Sequence, residues 1–221
     1  MEEIKLIEIK ENILSDNDEA ARQLRQKLAD EKTFVINLMS SPGAGKTSLL
    51  LQTIERLKNE LRIGVIEADI DSVVDAEKIR ESGAAAVQLR TGGFCHLDAA
   101  MVKTGLDGIG SKDFDLIFIE NVGNLVCPAE FDTGAMKSAM ILSVPEGDDK
   151  PLKYPLMFTV SDVLLVNKTD MMALSDFDTA TLRKRVHKLH PEMEILEVSA
   201  KTGAGMDQWV DWIRRAIENF S

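Results

Sequence analysis

From residue 33 onward, short apolar runs alternate with longer amphipathic ones. The runs at 33–39, 62–68, 85–89, 115–120, 139–144, 162–167 and 193–198 have strand length and are dominated by apolar residues. Between them, residues 46–59, 75–82, 96–109, 152–160, 175–189 and 205–219 carry their apolar side chains at helical spacing. Nearly continuous apolar strands separated by helices predict an α/β fold, a mostly parallel sheet flanked by helices on both faces. Residues 1–31 are richer in charge, and a helix over 18–30 would put Ala21, Leu24 and Leu28 on one face. We read 1–31 as an N-terminal helical appendage and 32–221 as one domain.

In such folds ligands gather at the carboxyl ends of strands, and the chemistry-bearing residues fall there. The first strand runs into Ser40-Ser41-Pro42-Gly43-Ala44-Gly45-Lys46-Thr47, followed by Ser48 and a helix. That is the strand–loop–helix context of a phosphate-binding P-loop. Gly43, Ala44 and Gly45 offer backbone N–H groups to phosphate oxygens, and the helix turns its positive end to the same place. Lys46 reaches the β/γ-phosphates and the Thr47 hydroxyl serves Mg²⁺. Ser40 stands where the general pattern has Gly.

The strand at 115–120 ends in Glu120-Asn121-Val122-Gly123. A carboxylate there, beside a P-loop, holds Mg²⁺ directly or through its water. The strand at 162–167 ends in Asn167-Lys168-Thr169-Asp170, the N-K-x-D pattern of guanine recognition. Asp170 accepts from guanine N1–H and the 2-amino group, and adenine would leave it unpaired. Lys168 lays its stem over the base, and Asn167 braces the loops. The last strand leads into Ser199-Ala200-Lys201, where the N–H of Ala200 is expected at guanine O6. In this order the motifs predict a P-loop GTPase domain that binds GTP and GDP. The strand at 62–68 opens onto Asp69, Asp71 and Asp75, which suit Mg²⁺ or the attacking water; Asp75 is equally suited to a helix N-terminus.

The chain has 221 residues, and 44% of them are hydrophobic, enough for a sizeable core. Its net charge of −11 disfavours nucleic acid as a partner. No run has membrane-spanning length and Met1-Glu2-Glu3-Ile4 lacks a basic leader, so no membrane association and a cytoplasmic location are expected. The two cysteines, Cys95 and Cys127, are too few for a disulfide framework. Cys95 and His96 follow Gly92-Gly93, and Cys127 lies seven residues beyond Glu120. Two sulfurs and an imidazole are one donor short of a tetrahedral site, unless water or a second subunit completes it; such soft donors suit Zn²⁺, Cu(I) or Ni²⁺. Spacing alone leaves open a pair of inert thiols and a helix-start histidine. His187 and His190 read as solvated residues at the end of a helix.

Taken together, Ser41–Thr47, Thr91–Asp98, Ile119–Pro128, Glu146–Pro155 and Asn167–Asp170 resemble HypB, the GTPase family that assists nickel insertion into [NiFe] hydrogenases. The resemblance extends over about residues 33–220, and Cys95-His96-Leu97-Asp98 with Glu120–Pro128 is its most specific part. It implies a P-loop NTPase of the dimerising SIMIBI branch, with GTP and Mg²⁺. It also implies a Ni²⁺ or Zn²⁺ site at the subunit interface of a nucleotide-dependent homodimer, with Cys95, His96 and Cys127 as ligands. Lys46, Asp75 and Glu120 become the candidate catalytic residues, with Thr47, Asp75 and Glu120 toward Mg²⁺. Implied partners are a HypA-type nickel chaperone and the large subunit of a [NiFe] hydrogenase. A urease-type or cobalamin-enzyme chaperone GTPase is the alternative within the fold. Many relatives carry an N-terminal cysteine motif or histidine-rich tract; residues 1–31 contain neither, so tight nickel capture or nickel storage by this chain is not expected. No arginine stands out as a finger, so unaided turnover is expected to be slow. Lys153 is a candidate for reaching a partner's nucleotide.

Overall fold

The computed structural model describes residues 9–69 and 74–220, with the side chains of 9–13, 69 and 74–76 outside the description. Seven parallel strands form one sheet: β1 (Phe34–Ser40), β2 (Ile63–Asp69), β3 (Ala85–Arg90), β4 (Leu116–Glu120), β5 (Lys137–Ser143), β6 (Val163–Asn167) and β7 (Glu194–Glu197). Their order is β3-β2-β4-β1-β5-β6-β7. Chain direction across the sheet reverses beside the central strand β1, and a crevice opens at the carboxyl ends there.

The helices are α1 (Ile9–Glu31), α2 (Lys46–Leu57), α3 (Val74–Glu81), α4 (Ala99–Ile109), α5 (Cys127–Glu130), α6 (Lys150–Lys153), α7 (Pro155–Val160), α8 (Thr179–Leu189) and α9 (Met206–Glu218). Alternation along β1 sends Ile36 and Leu38 toward α2 and α9, where Leu50, Ile54, Trp209 and Ile213 are buried. Val35 faces the other side, against Leu24 and Leu28 of α1 and Leu106 of α4. Farther along that side, Phe158 of α7 and Leu182 of α8 cover Leu142 and Leu164. Both faces are thus closed, which is why the strands read as apolar throughout.

Every expected strand is present. The helix expected over 96–109 starts at Ala99, because Asp98 accepts from Met101 N at 2.8 Å and caps it. The helix expected over 152–160 is broken into α6 and α7: Pro155 cannot donate and disfavours helical backbone at Tyr154. Ala21, Leu24 and Leu28 are buried as their spacing predicts, and Arg25 ties α1 to Asp132 through a paired hydrogen bond.

Candidate functional site

The P-loop joins β1 to α2. Gly43 and Gly45 hold φ of 74° and 99°, the left-handed region that favours glycine. Gly45 is needed for a second reason: a Cβ there would lie 2.5 Å from Asn167 Nδ2. The two nucleotide motifs therefore interlock. Asn167 Nδ2 donates to Ala44 O at 2.9 Å, and its Oδ1 accepts from Ala200 N at 3.1 Å. Lys168 Nζ donates to Gly43 O at 2.7 Å, stretching its stem from the base side to the P-loop. Lys46 Nζ donates to Ser40 Oγ at 2.9 Å, a bond that the usual glycine could not accept.

Two cavities meet at Gly45, Ser48 and Lys168. One, of about 610 Å³, is lined by Pro42, Lys46, Thr47, Glu67, Glu120 and Gly123 among others. The other, of about 560 Å³, is lined by Asn167, Asp170, Met171, Leu174, Ala200 and Lys201. The first suits phosphates at the start of α2; the second suits a base. In the second, Asp170 Oδ1 accepts from Ser199 Oγ at 2.6 Å, with Lys201 Nζ 3.9 Å from Oδ2. Ser199 thus orients the Asp170 carboxylate, a role its sequence position did not reveal. The Ala200 N–H, expected at guanine O6, is engaged by Asn167, so a base carbonyl arriving there must share that bond.

Glu120 is buried, and its Oε1 accepts from Thr47 Oγ1 at 2.8 Å. Hydroxyl and carboxylate oxygens on the floor of a phosphate cavity fit Mg²⁺, a hard cation. Gly123 lets its loop pass the P-loop itself: an added Cβ would sit 3.1 Å from Pro42 Cα. Asp71 lies outside the described residues; Asp69 ends β2 and Asp75 falls in α3, and their side chains lie outside the description too. Glu67 was not anticipated. It is buried, lines the phosphate cavity and stands in register with Glu120. Its signal was present: along β2 it shares a face with the core residues Ile63 and Val65.

The thiols and the imidazole come together. One donor atom from each of Cys95, His96 and Cys127 lies within 4.8 Å of the others. Cys95 Sγ is 2.8 Å from Cys127 Sγ and 3.8 Å from His96 Nδ1. The turn that aims adjacent residues at one point comes from Gly92 and Gly93, both at positive φ. Buried Leu97 and the Asp98 cap fix the other side of that turn. Phe131 stacks on the His96 ring at 3.9 Å between centroids, a support not foreseen from sequence. Burial lowers the His96 pKa, favouring the neutral imidazole that a metal needs. The hydrogen bond with Cys127 holds the Cys95 thiol above its usual range.

Asn121 and Asn124 link the two sites. Buried Asn121, next to Glu120, accepts from Leu97 N at 3.3 Å and from Val122 N at 2.9 Å, and donates to Asn37 Oδ1. Asn124 Nδ2 donates to Cys95 O at 3.4 Å while its Oδ1 accepts from Val126 N. The segment from Glu120 to Cys127 therefore touches the phosphate cavity at one end and the sulfurs at the other. Lys153 pairs with Asp149 of its own chain.

Residues 34–197 match the family described as CobW/HypB/UreG, nucleotide-binding domain. The hydrogenase maturation factor HypB of Azotobacter vinelandii is 47% identical over 211 residues, covering 96% of this chain and 70% of that protein. The hydrogenase/urease maturation factor HypB of Helicobacter pylori strain J99 is 38% identical over 221 residues, covering 98% and 90%. The crystal structure of HypB from Archaeoglobus fulgidus superimposes with a TM-score of 0.86 at 37% identity, covering 92% of this chain and 100% of that one. HypB from Helicobacter pylori, crystallised in complex with nickel, gives a TM-score of 0.86 at 36% identity over 93% and 97%.

Proposed function

The chain belongs to the HypB hydrogenase maturation factors of the CobW/HypB/UreG family, and from that premise we propose that it hydrolyses GTP to control a nickel-carrying thiol site. The observation that carries this reading is the Glu120–Cys127 segment, which joins a phosphate cavity to a convergent Cys/His set.

In this reading the GTP phosphates lie along Gly43–Ser48, with Lys46 toward the β/γ-phosphates. Asp170 reads the guanine edge, with Ser199 holding it and Lys201 beside it. Thr47 and Glu120, with Asp75, hold Mg²⁺, which when bound neutralises charge on the phosphates. Lys46 fixes the transferring phosphoryl group, and the carboxylates orient water. A change at Glu120 on hydrolysis moves Asn121, and with it the backbone that carries Cys95 and Cys127. Ni²⁺ is the cargo, and Zn²⁺ fits the same donors.

Three donors from one chain are one short of a tetrahedral set, which supports a homodimer meeting at this site, its geometry set by nucleotide. In this reading a HypA-type chaperone acts upstream and a [NiFe] hydrogenase large subunit downstream, in the cytoplasm; the maturation-factor relatives support a hydrogenase client. No helix among the described residues is long and apolar enough to cross a membrane. The name of the Helicobacter pylori relative favours one further client, a urease.

The test is phosphate release from GTP without an added acceptor, coupled to metal analysis and sizing. Wild type and Cys95→Ala are compared with GDP and with a non-hydrolysable GTP analogue. We expect GTP-dependent phosphate release, and nickel affinity or oligomeric state that differs between the two nucleotides. Identical affinity and identical size in both states would remove the switch.

A further inference from the structure

β2 and β4 run parallel, and Glu67 pairs with Glu120 in their register. Residues paired this way project to the same face, so the two carboxylates stand side by side. Both are buried, at 3% and 5% exposure, and both line the cavity that Lys46 and Thr47 line. Like charges opposite one another across strands destabilise a sheet, and burial sharpens the repulsion. Lys46 and Lys168 line the same cavity. Their two charges offset the two carboxylates only until a nucleotide adds its own negative charge. A triphosphate beside this pair then requires further positive charge at the same spot.

We infer that Glu67 is a positioning residue for the divalent cation of the nucleotide site, accepting hydrogen bonds from the ion's water shell beside Glu120. This rests on the GTPase reading above. Mg²⁺ retains several waters when it binds protein, and those waters need acceptors fixed by the fold. Glu67 meets that need because it rises from the middle of a paired strand. It is also set apart from the thiol site: a hard oxygen pair selects Mg²⁺, whereas the sulfurs select the softer cargo. Two metals are thereby kept in separate places on one chain.

The experiment follows release of a fluorescent GDP analogue from the full chain during a Mg²⁺ titration, with EDTA as the zero point. Wild type, Glu67→Gln and Glu67→Asp are compared, and GTP hydrolysis is measured in parallel. For Glu67→Gln we expect the Mg²⁺ concentration that half-slows release to rise about tenfold, as for other outer-shell changes. Release in EDTA should be no faster than in wild type, because the change removes a negative charge from the cavity that holds the phosphates. Glu67→Asp keeps the charge and should fall between the two. An unchanged Mg²⁺ requirement in Glu67→Gln, with release in EDTA equally unchanged, overturns the inference. A Glu67→Gln protein altered equally with and without Mg²⁺ also overturns it, since that marks a structural role. If Glu67→Gln does not fold, Glu67→Asp decides, and a wild-type Mg²⁺ requirement overturns it. A wild type that hydrolyses GTP in a Mg²⁺-dependent way leaves the GTPase reading standing whatever Glu67 does. A wild type indifferent to Mg²⁺ overturns both.

Discussion

The nucleotide crevice and the thiol site lie at the same end of one sheet, yet they are built differently. In the crevice the side chains spring from strand ends and are locked by buried and half-buried bonds. Asn167 joins two loops, Ser199 holds Asp170, and Thr47 meets Glu120. The thiol site stands on turns: Cys95 is exposed, Phe94 beside it is 57% exposed and Val126 beside Cys127 is 51% exposed. One region is preorganised within a single chain, and the other presents donors and apolar side chains outward. Exposed apolar residues around an incomplete donor set favour completion by another protein surface. A site that must accept and release cargo gains from that openness, whereas phosphoryl transfer gains from fixed dipoles.

The comparison can be broken most forcefully at Lys46. Lys46→Ala should lower GTP hydrolysis by about a hundredfold or more. Nickel affinity measured without nucleotide should stay within about twofold, since the two sites share no side chain there. A parallel loss of nickel binding would mean that the regions are not separately built. The reciprocal change is Cys127→Ala. It should weaken nickel binding by roughly a hundredfold, given that even outer-shell changes cost ten- to a hundredfold, while metal-free GTP hydrolysis persists. Competition with a chelating dye reads the first and phosphate release the second.

Acidity separates the regions next. The Cys95 thiol keeps its proton to higher pH than an ordinary thiol, because its S–H donates to Cys127 Sγ. Metal must displace that proton, so affinity falls as pH falls, by about tenfold per pH unit for each proton released. His96, with its pKa lowered by burial, stays neutral further into acid and adds to the loss only below the ordinary imidazole range. GDP affinity should be flat across the same neutral range. Calorimetric titrations in buffers of different ionisation enthalpy count the protons. The smallest effect is expected at the link. Asn121→Ala should leave each binding event within a few-fold of normal, but reduce the GDP-against-GTP difference in nickel affinity by about fivefold, the lower end of typical couplings. A difference that survives intact would place the coupling elsewhere.

Much of the crevice's layout was legible because its loops are short, contiguous motifs. Gly43–Thr47 and Asn167–Asp170 each carry their geometry locally, and strand periodicity put each at a strand end. Glu67 was passed over because no motif surrounds it; its meaning comes from lying beside Glu120, a neighbour 53 residues away in the chain. Ser199 was read for its loop and not for its hydroxyl, since its partner Asp170 is brought near only by the pairing of β6 with β7. Phe131 and Asn121 act through stacking and side-chain bonds that no spacing rule encodes.

By itself, then, the chain's residue pattern determined the alternating layers, the strand ends and the residue types able to hold phosphate, guanine and a soft metal. Those properties are local: periodicity, turn geometry and donor chemistry need only near neighbours. Whether Cys95 and Cys127, 32 positions apart, would meet was decided by the fold, which brings the loop after β4 and the turn after β3 together across the end of β2. The same fold also set Glu67 against Glu120 and let Asn121 span two sites. Contacts between distant segments are chosen by the packing of the whole core, and so they exist only in the folded molecule.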